Sequence, residues 1–348
     1  MKIQFRCAVF AVRLAFSFPA PASAWSDVGH KQIAAVAYVN ELIRHHLAYL
    51  MWVNGLEGGP ADEADQAAFV NVAVWADDIE AELNCRTLGA PGCYQGGNEA
   101  DPVGGPMAGK NLGTIDHLIH DYWHYYDIPF SPEGAQTADF PVVSALSQIK
   151  LLSSDLADPK SSEDLKSFGL VWLLHLAGDA HQPLLATQRF TKDISNGDRG
   201  GNEETVDIGL AEKPKLHALW DGLLGDSGPA SAAIAAAAVL PPADPAEAEI
   251  SDPSIWFTES FEIAKRDFYT AEIGPGKGPY TVSEVYLKND KTIAQERAAI
   301  AGARIGNSHR YSTEVDSTIC VSMARRGCLA SSRRSDRPLQ SFFNGDRM

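Results

Sequence analysis

The chain of 348 residues is 45% hydrophobic and carries a formal net charge of −16. Residues 1–24 and residues 307–348 are each net +3, which leaves −22 on the body between them. Such a body repels long polyanions and excludes a broad phosphate-tracking surface, although a local group of cations can still hold one phosphate.

The first segment reads as a leader. Lys2 and Arg6 open it, an apolar run interrupted by Arg13 follows, and Ala22-Ser23-Ala24 is an A-x-A cleavage signature. This pattern predicts a secretory signal over residues 1–24, removed before Trp25, and a secreted or periplasmic protein. The apolar run is too short to span a bilayer, and no later segment is long and apolar enough to do so. Trp25 is then either a core aromatic or the first residue of the mature chain, with an α-amino group able to ligate a metal when deprotonated. Cys7 leaves with the leader. Cys85 and Cys93 share a Gly-rich stretch, which suits a disulfide outside the cytosol, and Cys320 and Cys328 offer a second possible pairing.

Downstream, apolar residues recur at helical spacing over most of the chain. Ile33, Val36, Ala37 and Tyr38 start a helix expected to reach about Trp52, and FVNVAVWADDIEAEL places a second over 62–82. Residues 85–113, rich in Gly and Asn, read as a long loop. Helices are expected over 141–157, 164–179, 214–224, 229–239, 253–270 and 281–304, with that over 164–179 strongly apolar (FGLVWLLHLAGD). Strand-like alternation is scarce, so the fold class is all-α, with long functional loops. The domain is set at 25–306 in a chain whose length suits one large domain or two smaller ones. From Asn307 onward the chain has seven Arg, no Lys and little periodicity. That tail reads as a disordered extension or as the product of a shifted reading frame.

Several polar residues sit inside these apolar helices. HLAGD places His175 and Asp179 one turn apart on one helix face, and KLHALWD does the same with His217 and Asp221. One such pair alone reads as an intrahelical hydrogen bond before it reads as half of a zinc site. Two pairs on separate apolar helices each bury polar groups that need partners or a metal. WADDIE adds Asp77, with Asp78 read as a solvated helix end; WHYYDIPF adds His124 and Asp127 among aromatics. His181 in HQPLL is read as a turn residue, and His45, His46, His117 and His120 as structural or surface residues. In GDRGGNEE, Gly200 and Gly201 permit close backbone approach and Asn202 can donate to a phosphate oxygen. No GK[ST] follows and no strand precedes, so a P-loop is excluded.

The ordered set of Trp25, WAD, HYYD, HxxxDxHQPL, RGGN and LHALWD resembles the zinc-dependent single-strand-specific nucleases: the secreted fungal enzymes, the plant type I nucleases and their bacterial relatives. These share a multi-helix fold with zinc-dependent phospholipase C. The resemblance covers roughly residues 25–305. It implies up to three zinc ions: one held by Trp25, through its amino nitrogen and carbonyl oxygen, with His30 and Asp179; a second by Asp77, His124, His175 and a bridging Asp179; a third by His217 and Asp221. It further implies hydrolysis of single-stranded DNA or RNA to 5′-phosphate products, with 3′-nucleotidase activity. Asp77 would orient the nucleophilic water, Asn202 would steady the phosphate, Tyr125 would stack on a base and Asp127 would meet the base edge. Two residues depart from the pattern: Leu185 stands where the third zinc usually finds a histidine, and Glu80 where fungal members carry a phosphate-holding cation. Phospholipase C activity and a zinc-binding homologue with weakened catalysis are the competing readings. A monomer is the default.

Overall fold

The structure, a computed structural model, describes residues 25–38, 61–81, 120–138, 143–161 and 163–324. Among these the architecture is all-α, a packed set of helices with two short two-stranded parallel ladders. Helix α1 (Asp27–Tyr38) lies in the middle and is buried over most of its circumference, because Gly29, Ala34, Ala35 and Ala37 let neighbours approach closely. It packs against α2 (Ala61–Val72), α7 (Ala230–Ala237) and the long α10 (Glu284–Ala324). No helix among the described residues is long and apolar enough to cross a membrane.

The single helix expected over 62–82 is two helices, α2 and α3 (Trp75–Ala81), separated by a turn at Ala73–Val74. Hydrogen bonding explains the break. In a continuous helix the Asp77 amide would donate to Ala73, but the Ala73 carbonyl accepts from His175 Nδ1 at 2.8 Å. The Asp77 amide turns to Val74 instead, at 3.1 Å. The local tightening that results is where the Asp77 side chain departs.

Helix α4 (Ala145–Ala157) starts later than expected because Ser144 and Ser147 form a reciprocal capping box there. Helix α5 (Glu163–Asp179) is apolar on nearly every side and correspondingly buried. Its Trp172 meets Trp75, His120, Trp123 and His124 in edge-on ring contacts, so the aromatic cluster of the core reaches the polar centre directly. Strand β1 (Ile128–Phe130) pairs in parallel with β2 (Thr187–Arg189), registering Ile128 on Thr187 and tying the HYYD segment to the end of the HQPLL turn. Strands β3 (Val206–Asp207) and β4 (Tyr280–Thr281) form the other ladder. These strands are too short for alternation to reveal them.

Helix α6 (Leu216–Asp221) runs into a 3₁₀ turn, α8 (Pro245–Ala248) and α9 (Pro253–Ile263) begin with Asp caps followed by Pro, and α9 ends in a π turn at Ala264–Phe268. Two arginines fasten α10 to the rest. Arg297 and Arg304 share Glu259 of α9, and Arg304 also reaches His181 Nε2 at 3.0 Å. The helical backbone of α10 continues to Ala324, past the boundary drawn at 306. The leader 1–24, residues 39–52 of the first expected helix, the loop 85–113 with Cys85 and Cys93, His45, His46, His117 and Cys328 lie outside the described residues, as do the side chains of Glu80 and Cys320.

Candidate metal centre

Four elements deliver the polar centre. Helix α1 brings His30, α3 brings Asp77, the 3₁₀ turn Asp121–Trp123 leads into His124, and α5 brings His175 and Asp179. The i, i+4 spacing on α5 aims His175 Nε2 at Asp179 Oδ2, 3.4 Å away. Asp179 faces two ways: Oδ1 lies 3.3 Å from His30 Nε2, and Oδ2 lies 3.4 Å from His124 Nδ1. Asp77 Oδ1 lies 3.4 Å from His175 Nε2 and 3.8 Å from His124 Nδ1. Two groups result, His30/His175/Asp179 and Asp77/His124/His175, each with its ligand atoms within 4.8 Å of one another. His175 belongs to both groups, a sharing that the sequence pattern assigned to Asp179 alone.

The donor set is imidazole nitrogen and carboxylate oxygen, which suits zinc, and the local chemistry asks for a cation. Both oxygens of Asp179, both ring nitrogens of His30 and Oδ1 of Asp77 are buried without a hydrogen bond among the described residues, a costly arrangement for groups removed from water. His175 Nδ1–H donates to the Ala73 carbonyl, which leaves the Nε2 lone pair pointing into the centre. There it meets His124 Nδ1 at 3.1 Å. Two ring nitrogens at that distance need a proton or a metal ion between them. Without an ion the charge falls to His175: burial opposes it, but Asp179 and Asp77 lift its pKa to about 10. Burial also acts against the Asp77 anion, yet His175 chiefly holds its carboxyl well below the usual range. Burial, helped by His175, keeps His30 well below the ordinary histidine value. Burial raises the Asp179 carboxyl.

The packing around these residues admits little else. Gly178 leaves the room that the His30 ring occupies; a β-carbon there would stand 2.8 Å from His30 Nδ1. The His30 ring stacks on that of His175 at 3.9 Å. Trp25 is fully buried at the mouth of α1, and its indole nitrogen donates to the Gly178 carbonyl at 3.1 Å, beside Asp179. The next residue, Ser26, donates its amide to the carbonyl of Asp221 at 3.1 Å. Trp25 and Ser26 thus bond to the last turns of the two helices that carry the paired carboxylates.

His217 and Asp221 on α6 form a neighbouring pair, Nε2 to Oδ2 at 3.5 Å. Its position near the first groups shows in the Asp221 carboxyl, pushed well above its ordinary value by burial and further by Asp77 and Asp179. His217 Nδ1–H donates to the Gly200 carbonyl at 2.6 Å, again turning Nε2 toward the carboxylate. Gly200 adopts a positive φ of 61°, and a β-carbon there would overlap the Leu184 carbonyl. Gln182 donates to Asp221 Oδ1 at 2.8 Å. Leu185 is buried and supplies no ligand atom, and this pair does not belong to any group of three among the described residues. His181 sits in the turn expected for it, bonded to the Ala177 carbonyl and to Arg304, away from the carboxylates.

The expected substrate residues lie on segments next in sequence to the ligand-bearing ones. Asn202 lies in the loop that holds His217, its amide donating to the Arg199 carbonyl at 2.9 Å. Tyr125 is half-buried beside Tyr122, ring centroids 6.1 Å apart. Asp127 leads into β1, and burial, then Asp198, pushes its carboxyl well above the usual range against the pull of Arg199. Gln182, Gly178 and the Ala73 carbonyl escaped the sequence reading. Gln182 stands inside the HQPLL motif and was the one polar neighbour with a signal that could have found it.

A family model described as S1/P1 nuclease matches residues 25–309. No curated protein matches the chain.

Proposed function

This chain belongs to the S1/P1 nuclease family and is a zinc-dependent hydrolase of nucleic acids; from that premise we propose that it cleaves single-stranded DNA and RNA to 5′-phosphate products and removes the phosphate of 3′-nucleotides. The observation that carries the reading is the pair of His/Asp groups sharing His175 on a rigid, buried helix. Trp25, His30 and Asp179 would hold one ion, and Asp77, His124 and His175 with Asp179 another. Bound zinc supplies charge neutralisation at the phosphoryl oxygens and an acidified water. Asp77 is suited to accept from and orient that water, since its side chain keeps 16% exposure while His175 holds it anionic. Asn202 steadies the phosphate from the loop beside His217. Tyr125 offers a stacking face, which suits bases splayed from a single strand, and Asp127 offers its carboxyl to a base edge for hydrogen bonding.

His217 and Asp221 would hold a third ion on the leaving-group side. With Leu185 in the motif they contribute two protein ligands, one fewer than a catalytic zinc site usually has. A lost stabiliser of that kind lowers rates by about 10²–10³, so activity is retained at a reduced level. The family match starting at Trp25 supports cleavage after Ala24, a free Trp25 amine and a secreted or periplasmic location. The test is to load the mature protein with zinc and assay single-stranded DNA and 3′-AMP. Oligonucleotides with 5′-phosphate ends and release of phosphate from 3′-AMP are expected; no turnover of either with zinc fully loaded rejects the reading.

A further inference from the structure

On a strongly acidic body, an exposed patch on the segments flanking His217 is cationic among the described residues. Arg199, Lys215 and Lys277 are all exposed and come from three separate stretches of chain. The two lysines converge on Glu203: Lys277 Nζ lies 2.7 Å from Glu203 Oε2, and Lys215 Nζ lies 3.3 Å from the Glu203 carbonyl and 3.4 Å from Thr205 Oγ1. Backbone bonds fix the arrangement. The Glu203 amide donates to Asp198 at 3.1 Å, Thr205 donates to the Lys277 carbonyl at 2.8 Å, and Leu216 donates to Glu204 at 3.0 Å. Arg199 itself stands at a positive φ of 56°, rare for a residue with a side chain, and its carbonyl accepts both from the Asn202 amide and from the Asn202 side chain. Its charge is felt by Glu203 on one side and by Asp127 on the other.

The patch is tied to the His217–Asp221 pair through short covalent paths. Lys215 is two residues from His217, and Gly200 and Gly201 accept from His217 through their carbonyls. Glu203 neutralises one of the three cations, so the group retains a formal charge of about +2 in a field that elsewhere repels phosphate. Exposed ion pairs add little to stability, and folding does not account for three cations gathered at one loop. Ammonium and guanidinium groups that remain hydrated and fixed by backbone geometry are suited to a phosphate monoanion. We propose that Arg199, Lys215 and Lys277 form a subsite for a phosphate flanking the scissile bond, so that the protein engages oligonucleotide strands beyond the single nucleotide at its metal centre. This rests on the nuclease reading, and it assigns to this loop an electrostatic role that Glu80 does not provide on α3.

The test is binding of a fluorescein-labelled ten-residue oligothymidylate to the zinc-loaded mature protein, by anisotropy across a salt series. A single strand contributes about −0.7 to the slope of log K against log salt per phosphate neutralised. The triple variant Arg199→Gln, Lys215→Gln, Lys277→Gln is expected to weaken binding and flatten the slope by about 0.7, the share of one phosphate, and Lys215→Gln or Lys277→Gln alone by part of that; the single variants serve if the triple one misfolds. A control that removes the same charge elsewhere, Lys192→Gln, Lys288→Gln, Lys291→Gln, is expected to leave the slope unchanged. Equal flattening in both triple variants, no flattening in either, or no oligonucleotide binding by the parent protein overturns the subsite. Preference for anionic phosphatidylserine vesicles over the oligonucleotide does the same, by assigning the patch to a membrane. Hydrolysis is read separately: strand binding with the expected slopes but no cleavage keeps the subsite and rejects the nuclease reading, whereas cleavage with unaltered slopes does the reverse.

Discussion

Gly178→Ala pits two effects of opposite sign against each other. In the last turn of α5, alanine is favoured over glycine by at most about 1 kcal/mol in helix propensity. The added β-carbon would stand 2.8 Å from His30 Nδ1 and 3.1 Å from His30 Cε1, where ordinary contact begins at 3.4 Å. The ring must therefore withdraw by 0.6 Å while remaining confined by its 3.9 Å stack on His175. Overpacking of that order costs about 1–3 kcal/mol, so the metal-free variant should melt at or slightly below the parent temperature. Zinc tolerates ligand displacements of only about 0.2 Å. Displacing a ligand through its supporting shell lowers affinity by about 10–100-fold. Titration against a chromophoric chelator should show one zinc bound normally and one weakened by that factor. Unchanged affinity for both ions, with a raised melting temperature from the helix term alone, would show that the His30 ring has room and that the geometry argued for it is wrong.

Leu185→His restores an imidazole to the incomplete pair of His217 and Asp221; one additional zinc per chain by elemental analysis and a gain of about 10²–10³ in kcat are expected, and no change in either would mean the ligand position is misplaced. Gln182→Leu removes the donor to Asp221 Oδ1 and should cost about 1–3 kcal/mol of stability by leaving a buried carboxyl unsatisfied, read by calorimetry of the metal-free protein. Zinc loading should also release a proton. His175 has an ordinary value of 6.5 and is lifted in the folded, metal-free state to about 10 by Asp179 and Asp77 against burial. Its stabilising contribution is thus complete below about pH 6.5 and fades as pH rises through about 10. Metal-free protein should lose stability across that window, while apparent zinc affinity at this group tightens by about tenfold per pH unit. Calorimetric zinc titration in two buffers of different ionisation enthalpy checks this, and a pH-independent affinity would refute it.

The sequence showed the helices well where an apolar periodicity ran unbroken, as in α5, and showed both His/Asp pairs because i, i+4 spacing on one helix is a local property. It did not show the turn at Ala73–Val74. That break depends on a carbonyl captured by His175 from another helix, and no local pattern encodes a tertiary hydrogen bond. The strands escaped because three-residue and two-residue ladders carry no period. The sharing of His175 between two groups, the space left by Gly178 and the tether from Gln182 to Asp221 are likewise relations between segments distant in sequence. The continuation of α10 to Ala324 runs through a stretch whose composition suggested no periodic helix.

We propose that maturation at Trp25 completes a buried cluster of imidazoles and carboxylates around zinc. Elemental analysis of the secreted protein, with its N-terminus sequenced on the same sample, tests this most directly. Trp25 as the first residue with two tightly held zinc ions per chain is the predicted result. A processed chain beginning at Trp25 that retains no zinc after dialysis against zinc-containing buffer would contradict it.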